Sequence, residues 1–215
     1  MRRWLQTSLP ALALLTASLA AHGQVIVDRM VARVETDIIL LSDVRELARY
    51  QIFADGKAEP DEQILNRLID QWIVRSEANV ALFPQPKDED VERSLARLKR
   101  TFSSPEEYEE RKKLSGLSDD DILRLLRSQL YLSNYLDTRF RPSIQVDPKA
   151  VEEFYQTRVV PRAESRGQKP PTLDAAREFI QEALVQRAVN EEADKWLKES
   201  RSRVHVQSFL NETQP

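Results

Sequence analysis

The chain has no cysteine, two histidines and four glycines in 215 residues. Each scarcity removes a class of chemistry. Without cysteine there is no disulfide framework, no thiol nucleophile and no cysteine for lipid attachment at a processed N-terminus. No glycine-rich loop is present to cradle a phosphate. His22 falls in the N-terminal leader described below, which leaves His205. It has no His or Cys partner at ligand spacing, so no metal is expected, and a Ser-His-Asp triad would rest on this one residue. His205 reads as an ordinary edge-strand residue. The run Asp119-Asp120-Asp121 lacks the alternating spacing and glycine of a calcium loop and reads as helix-start charge. Glu152-Glu153 and Glu191-Glu192 are adjacent and do not share a helix face, so they offer no carboxylate pair. No enzyme chemistry and no cofactor are expected.

Charge excludes further classes. The formal net charge is -3, with 32 basic residues against 35 acidic ones. A mildly acidic chain is a poor partner for nucleic acid or anionic lipid. Arg93, Arg97, Lys99, Arg100, Arg111, Lys112 and Lys113 are interleaved with glutamates and read as a solvated helix surface. What is abundant is charge of both signs, 31% of residues, with little glycine, which suits long helices.

The first 23 residues have the form of an export leader. Arg2 and Arg3 precede an apolar run from Leu9 to Ala21, and both Ala21-His22-Gly23 and Ser18-Leu19-Ala20 offer small residues for cleavage. The run is broken by Pro10 and falls short of the roughly 20 residues a bilayer span needs, so no stable membrane insertion is expected after cleavage. Cleavage leaves 30 of the 32 basic residues against 35 acidic ones, a charge near -5.

Val25 to Val34 is valine-rich and alternating, which predicts a strand, with a second short strand at Ile38 to Leu41. The link Glu35-Thr36-Asp37 lacks the Asn-Gly type of pair that accepts positive φ, so a wider turn is expected. Ser42 is the expected cap of a helix reaching about Ala54. Pro60 stands at the expected first position of the next helix, whose stripe is Ile64, Leu65, Leu68, Ile69, Trp72, Ile73 and Val80. Pro84 and Pro86 stop it. Val91, Leu95, Leu98 and Phe102 mark another stripe. Ser104 and Ser118 begin helices by capping boxes, the first ending near Gly116.

From Ile122 to Phe140 the apolar arc is wider than a single core-facing stripe requires, so this helix is either sandwiched between layers or keeps one side for a guest. Asp147-Pro148 starts another helix, 162–171 is a loop, and Thr172 caps a helix of roughly 30 residues. Its stripe is Ala176, Phe179, Ile180, Ala183, Leu184, Trp196 and Leu197. Val204, Val206 and Phe209 alternate as a last strand, which needs a partner for its backbone groups. The fold class is therefore mainly α, with a small β element formed by the N-terminal hairpin and the C-terminal strand.

The stretches Val25 to Leu41 and Asn190 to Leu210 together resemble the N- and C-terminal segments of SurA-type periplasmic chaperones, a family that often also carries parvulin prolyl isomerase domains. The resemblance implies that the last strand returns to the hairpin and encloses an apolar hollow. It divides the chain into a helical chaperone domain at 24–143, a helix and loop at 144–172 where a parvulin domain would be inserted, a returning helix and strand at 173–210, and a tail at 211–215. Only the 162–171 loop occupies the insertion point, with no histidine, so isomerase activity is not carried over.

The resemblance further implies a periplasmic, ATP-independent chaperone for unfolded or outer-membrane polypeptides. Trp72, Leu123, Tyr131, Tyr135, Phe154 and Tyr155 are the candidate client contacts, although each alone also fits a core position. Two rivals stand beside this expectation: a periplasmic assembly subunit gripping one folded partner, and a prolyl isomerase.

Overall fold

The computed structural model describes residues 28–211. The expected leader, residues 25–27 at the start of the expected first strand, and the end of the tail at 212–215 lie outside the described residues.

The chain begins with an antiparallel hairpin of β1 (Met30–Val34) and β2 (Asp37–Leu40). Val34 pairs with Asp37, so Glu35 and Thr36 alone make the turn, which is tighter than the sequence predicts. Glu35 takes φ 53, a left-handed conformation that costs a non-glycine residue about 1 kcal/mol or more. Two bonds from the far end of the chain hold it there. Glu35 N donates to the His205 carbonyl at 2.9 Å, and the Glu35 carboxylate accepts the His205 N–H at 2.7 Å.

From this anchor β3 (Val206–Ser208) pairs antiparallel with β1, giving the order β2-β1-β3. Val34 lies opposite Val206, and the expected return of the last strand to the hairpin is what the sheet contains. Val31, Ala32 and Val34 in the central strand are fully buried.

α1 (Leu41–Asp55) follows β2 without a break. Ser42 is therefore inside the first turn rather than at the cap. The capping work falls to Asp43, whose carboxylate accepts the Leu40 N–H at 2.8 Å. α2 (Asp61–Val80) starts one residue later than predicted, with Pro60 as its cap. Its buried stripe is Ile64, Leu65, Ile69, Ile73, Val74 and Ala78, while Val80 is 83% exposed. The helix outruns the core it covers.

α3 (Asp88–Lys99) packs against the later helix at Asp119–Phe140, and α4 (Pro105–Ser115) closes over α1. Ser104 Oγ accepts from Glu107 N, and Gly116 ends α4 with φ 67. Between them Phe53, Phe102 and Tyr108 form a three-ring cluster with centroids 5.2 to 5.3 Å apart.

α5 (Asp119–Phe140) begins at the Ser118 capping box. It packs against α2, α3 and α8 (Leu173–Arg201), so most of its wide apolar arc serves three neighbours, while Leu125 also borders an open cleft. Arg141–Ser143 forms a short 3-10 turn, and Arg141 clamps the Glu182 carboxylate with two bonds at 3.0 Å, tying the end of α5 to α8. α6 (Pro148–Phe154) runs through a π-helical turn at Tyr155–Val159 into α7 (Val160–Glu164).

α8 is capped by Thr172 as predicted. Phe179, however, is 72% exposed, because Ala176 and Ile180 already face α6. At the other end Arg201 joins Asp70 of α2 at 2.8 Å. The chain is mainly α, with one small sheet among the described residues. Its core has a main body under the sheet, a second cluster between α2 and α5, and a third between α6 and α8.

Candidate functional site

An open cleft of about 610 Å³ lies between β2, α1, α2 and α5. Ile39, Leu47, Leu68, Leu125 and Tyr131 give it an apolar floor, and Ile38 and Trp72 form one wall. Trp72 is half-buried, with its indole N–H fixed on the Asp37 carboxylate at 2.7 Å. The bond orients the ring and leaves its apolar body along the cleft.

The rim is charged. Arg124 binds the Glu46 carboxylate through both of its terminal nitrogens and Asp121 at 2.9 Å, and these bonds hold its guanidinium well above the usual range. Asp121 is drawn down to about 2, first by the Ser118 hydroxyl and backbone and then by Arg124. Arg127 pairs with Asp88 at 2.7 Å. Arg75 is different: its guanidinium donates to Ser128 Oγ at 2.7 Å, and no carboxylate of the described residues lies within ion-pair distance. The Asp43 carboxylate, also on the cleft, is occupied by the Leu40 N–H at the start of α1. Arg75 is thus the cation of the cleft without an anionic partner among the described residues.

Of the six residues singled out from the sequence, the fold brings Trp72 and Tyr131 to the cleft. Tyr131 is mostly covered, its hydroxyl donating to Asn79 Oδ1 at 2.9 Å. Leu123 packs half-buried on the main core. Tyr135 belongs to the second cluster against Phe83, with ring centroids 5.6 Å apart. Phe154 and Tyr155 pack in the third cluster, and the Tyr155 hydroxyl donates to the Pro171 carbonyl at 2.7 Å. Ile38, Leu68, Arg75 and Leu125 line the cleft and were not singled out. For Ile38 a signal existed: in the pair Ile38-Ile39, alternation sends one of the two away from the core. Arg75 carried none.

A smaller hollow of about 410 Å³ opens between α1 and α2, lined by charged and amide side chains that include Gln51, Glu59 and Arg67. Among the described residues no group of three His, Cys, Asp or Glu is placed to hold a metal ion. No helix of the described residues is long and apolar enough to cross a membrane. No family model and no curated protein matches this chain.

Proposed function

We propose that this chain is an exported, ATP-independent chaperone that shelters extended apolar stretches of unfolded polypeptides, including outer-membrane proteins in the periplasm. The observation that carries the reading is the open cleft with an apolar floor and a half-exposed tryptophan on its wall. Apolar burial is non-directional and yields roughly 25 cal/mol per Å² before ordering costs, which suits clients of many sequences. A volume of about 610 Å³ takes a short length of extended chain rather than a folded domain. The likeness of both chain ends to SurA-type chaperones points the same way, and the pairing of β3 with β1 accords with it. The client class and the periplasmic setting rest on that likeness.

The test is turbidity of an unfolded outer-membrane β-barrel protein diluted from urea. Equimolar chaperone is expected to suppress aggregation; unchanged turbidity at severalfold excess would overturn the proposal.

A second reading, an assembly subunit for one folded partner, draws on Val80 and Leu82, which are 83% and 89% exposed side by side at the end of α2. A single stoichiometric partner in a periplasmic pull-down, lost on Leu82→Ser, would favour it.

A further inference from the structure

Ile38 and Ile39 both border the cleft, yet consecutive strand residues project to opposite faces of a sheet. Ile39 faces the main core at 6% exposure, and Ile38 is 54% exposed on the other face. A cavity touching both can only run along the outer edge of β2. Among the described residues that edge has no strand beyond it, since β2 is the terminal strand of the sheet.

The register says which backbone groups the edge offers. Val34 and Asp37 close the two-residue turn as a hydrogen-bonded pair, so Arg33 and Ile38 form the next, non-bonded pair. β1 confirms the phase: Glu35 N donates to His205 O and Phe209 N donates to Val31 O, so the odd-numbered residues of β1 face β3. The N–H and C=O of Ile38 therefore point away from β1, off the outer edge of the sheet where Ile38 borders the cleft. The next outward donor, Leu40 N–H, is already taken by Asp43. Ile38 is left as a single outward donor and acceptor, flanked by Trp72 and the apolar floor. Arg75 stands on the same cleft as a cation with no carboxylate partner among the described residues.

We propose that a client enters as one extended strand, exchanging two backbone hydrogen bonds with Ile38. Its alternate apolar side chains settle on the half-buried Leu68, Trp72 and Leu125, and a carboxylate on the client meets Arg75. This deepens the chaperone reading and rests on it. Backbone pairing explains tolerance of sequence, alternate side chains supply the apolar contacts, and a guanidinium with no carboxylate partner among the described residues selects for an acidic group. The occupant is an unfolded segment, because the cleft of about 610 Å³ admits a short length of extended chain and not the body of a folded partner.

The probe is a short fluorescein-labelled peptide alternating Tyr or Val with Thr and ending in Glu, followed by anisotropy. Ile38→Pro removes the outward N–H without touching the ladder to β1, and Ile38→Thr removes the same apolar bulk but keeps that N–H. Ile38→Pro is expected to bind at least about fivefold more weakly than Ile38→Thr. Should Ile38→Pro disturb the fold, the same comparison is made on unaltered protein with a peptide N-methylated at alternate amides, expected to lose a similar factor. Arg75→Glu is expected to weaken the Glu peptide by about fivefold and to spare its Lys counterpart.

Equal binding by the Pro and Thr variants, with the methylated peptide undiminished, overturns strand addition. In that case continued suppression of aggregation leaves the chaperone reading standing. Suppression lost along with all peptide binding ends both.

Discussion

The turn residue Glu35 and His205, which are 170 positions apart, hold each other by two bonds, Glu35 N to His205 O at 2.9 Å and His205 N to the Glu35 carboxylate at 2.7 Å. This exchange fixes the register in which the last strand closes the sheet. Glu35→Ala keeps the backbone bond and loses the charge-assisted one. Because the carboxylate is exposed, the expected loss is about 1 kcal/mol, read as a lower urea midpoint with an unchanged slope. Glu35→Gln, which keeps an acceptor, should lose less. Unaltered stability in Glu35→Ala would show that the backbone ladder and packing hold the strand without help from the carboxylate.

The loop before α2 carries the clearest pH signature. Glu59 is drawn down to about 2, first by the Arg67 guanidinium and then by the Gln51 amide. An unfolded glutamate titrates near about 4.3, so as pH falls the unfolded chain takes up this proton first. The contribution of Glu59 to stability is complete above that value and disappears as pH falls towards 2. Urea unfolding from pH 6 to 2.5 should therefore show a smaller decline in Glu59→Gln than in the unaltered chain. Parallel declines would contradict the assignment.

Leu82 ends α2 with φ 50, its N–H bonded to Asn79 O and the following Phe83 N–H to Ala78 O. This is a helix terminus that ordinarily takes glycine. The Leu82 side chain is 89% exposed and contributes little packing. Leu82→Gly relieves about 1–2 kcal/mol of left-handed strain and returns part of it as unfolded-state entropy. The net gain should be about 0.5–1 kcal/mol, seen as a higher urea midpoint. A loss would mean that the leucine packs more than its exposure indicates.

Client contacts separate by place. Trp72→Ala removes a cleft wall and should weaken suppression of aggregation severalfold. Tyr155→Phe breaks only the bond to Pro171 in the third cluster and should leave suppression unchanged. Equal effects from both would count against the cleft as the site.

Much of the fold was legible because its signals are local. Ser104, Ser118, Asp147 and Thr172 accept helix N–H groups where the sequence placed them, and Gly116 stops its helix. The pairing of the last strand was legible for a non-local reason: an unpartnered strand had few others to join. Val80 and Phe179 were misplaced because periodicity marks a helix face but not where the neighbour beneath it ends. The Glu35 turn was hidden because its strained φ is maintained by His205, which no local rule sees. The candidate site was the least legible part. Four elements build it, and of six aromatic and apolar candidates only Trp72 and Tyr131 reach it. Leu123, Tyr135, Phe154 and Tyr155 fill other clusters, because aromatic rings at helical spacing serve cores as readily as grooves.

Photocrosslinking tests the cleft as the seat of client binding most directly. Benzoylphenylalanine is placed at Ile38, on the edge of the cleft, and separately at Phe179, exposed but outside the cleft lining. Illumination with an unfolded outer-membrane barrel protein should give an adduct from position 38 and little from position 179. An adduct from 179 alone, or equal yields from both, would contradict a binding cleft between β2, α1, α2 and α5.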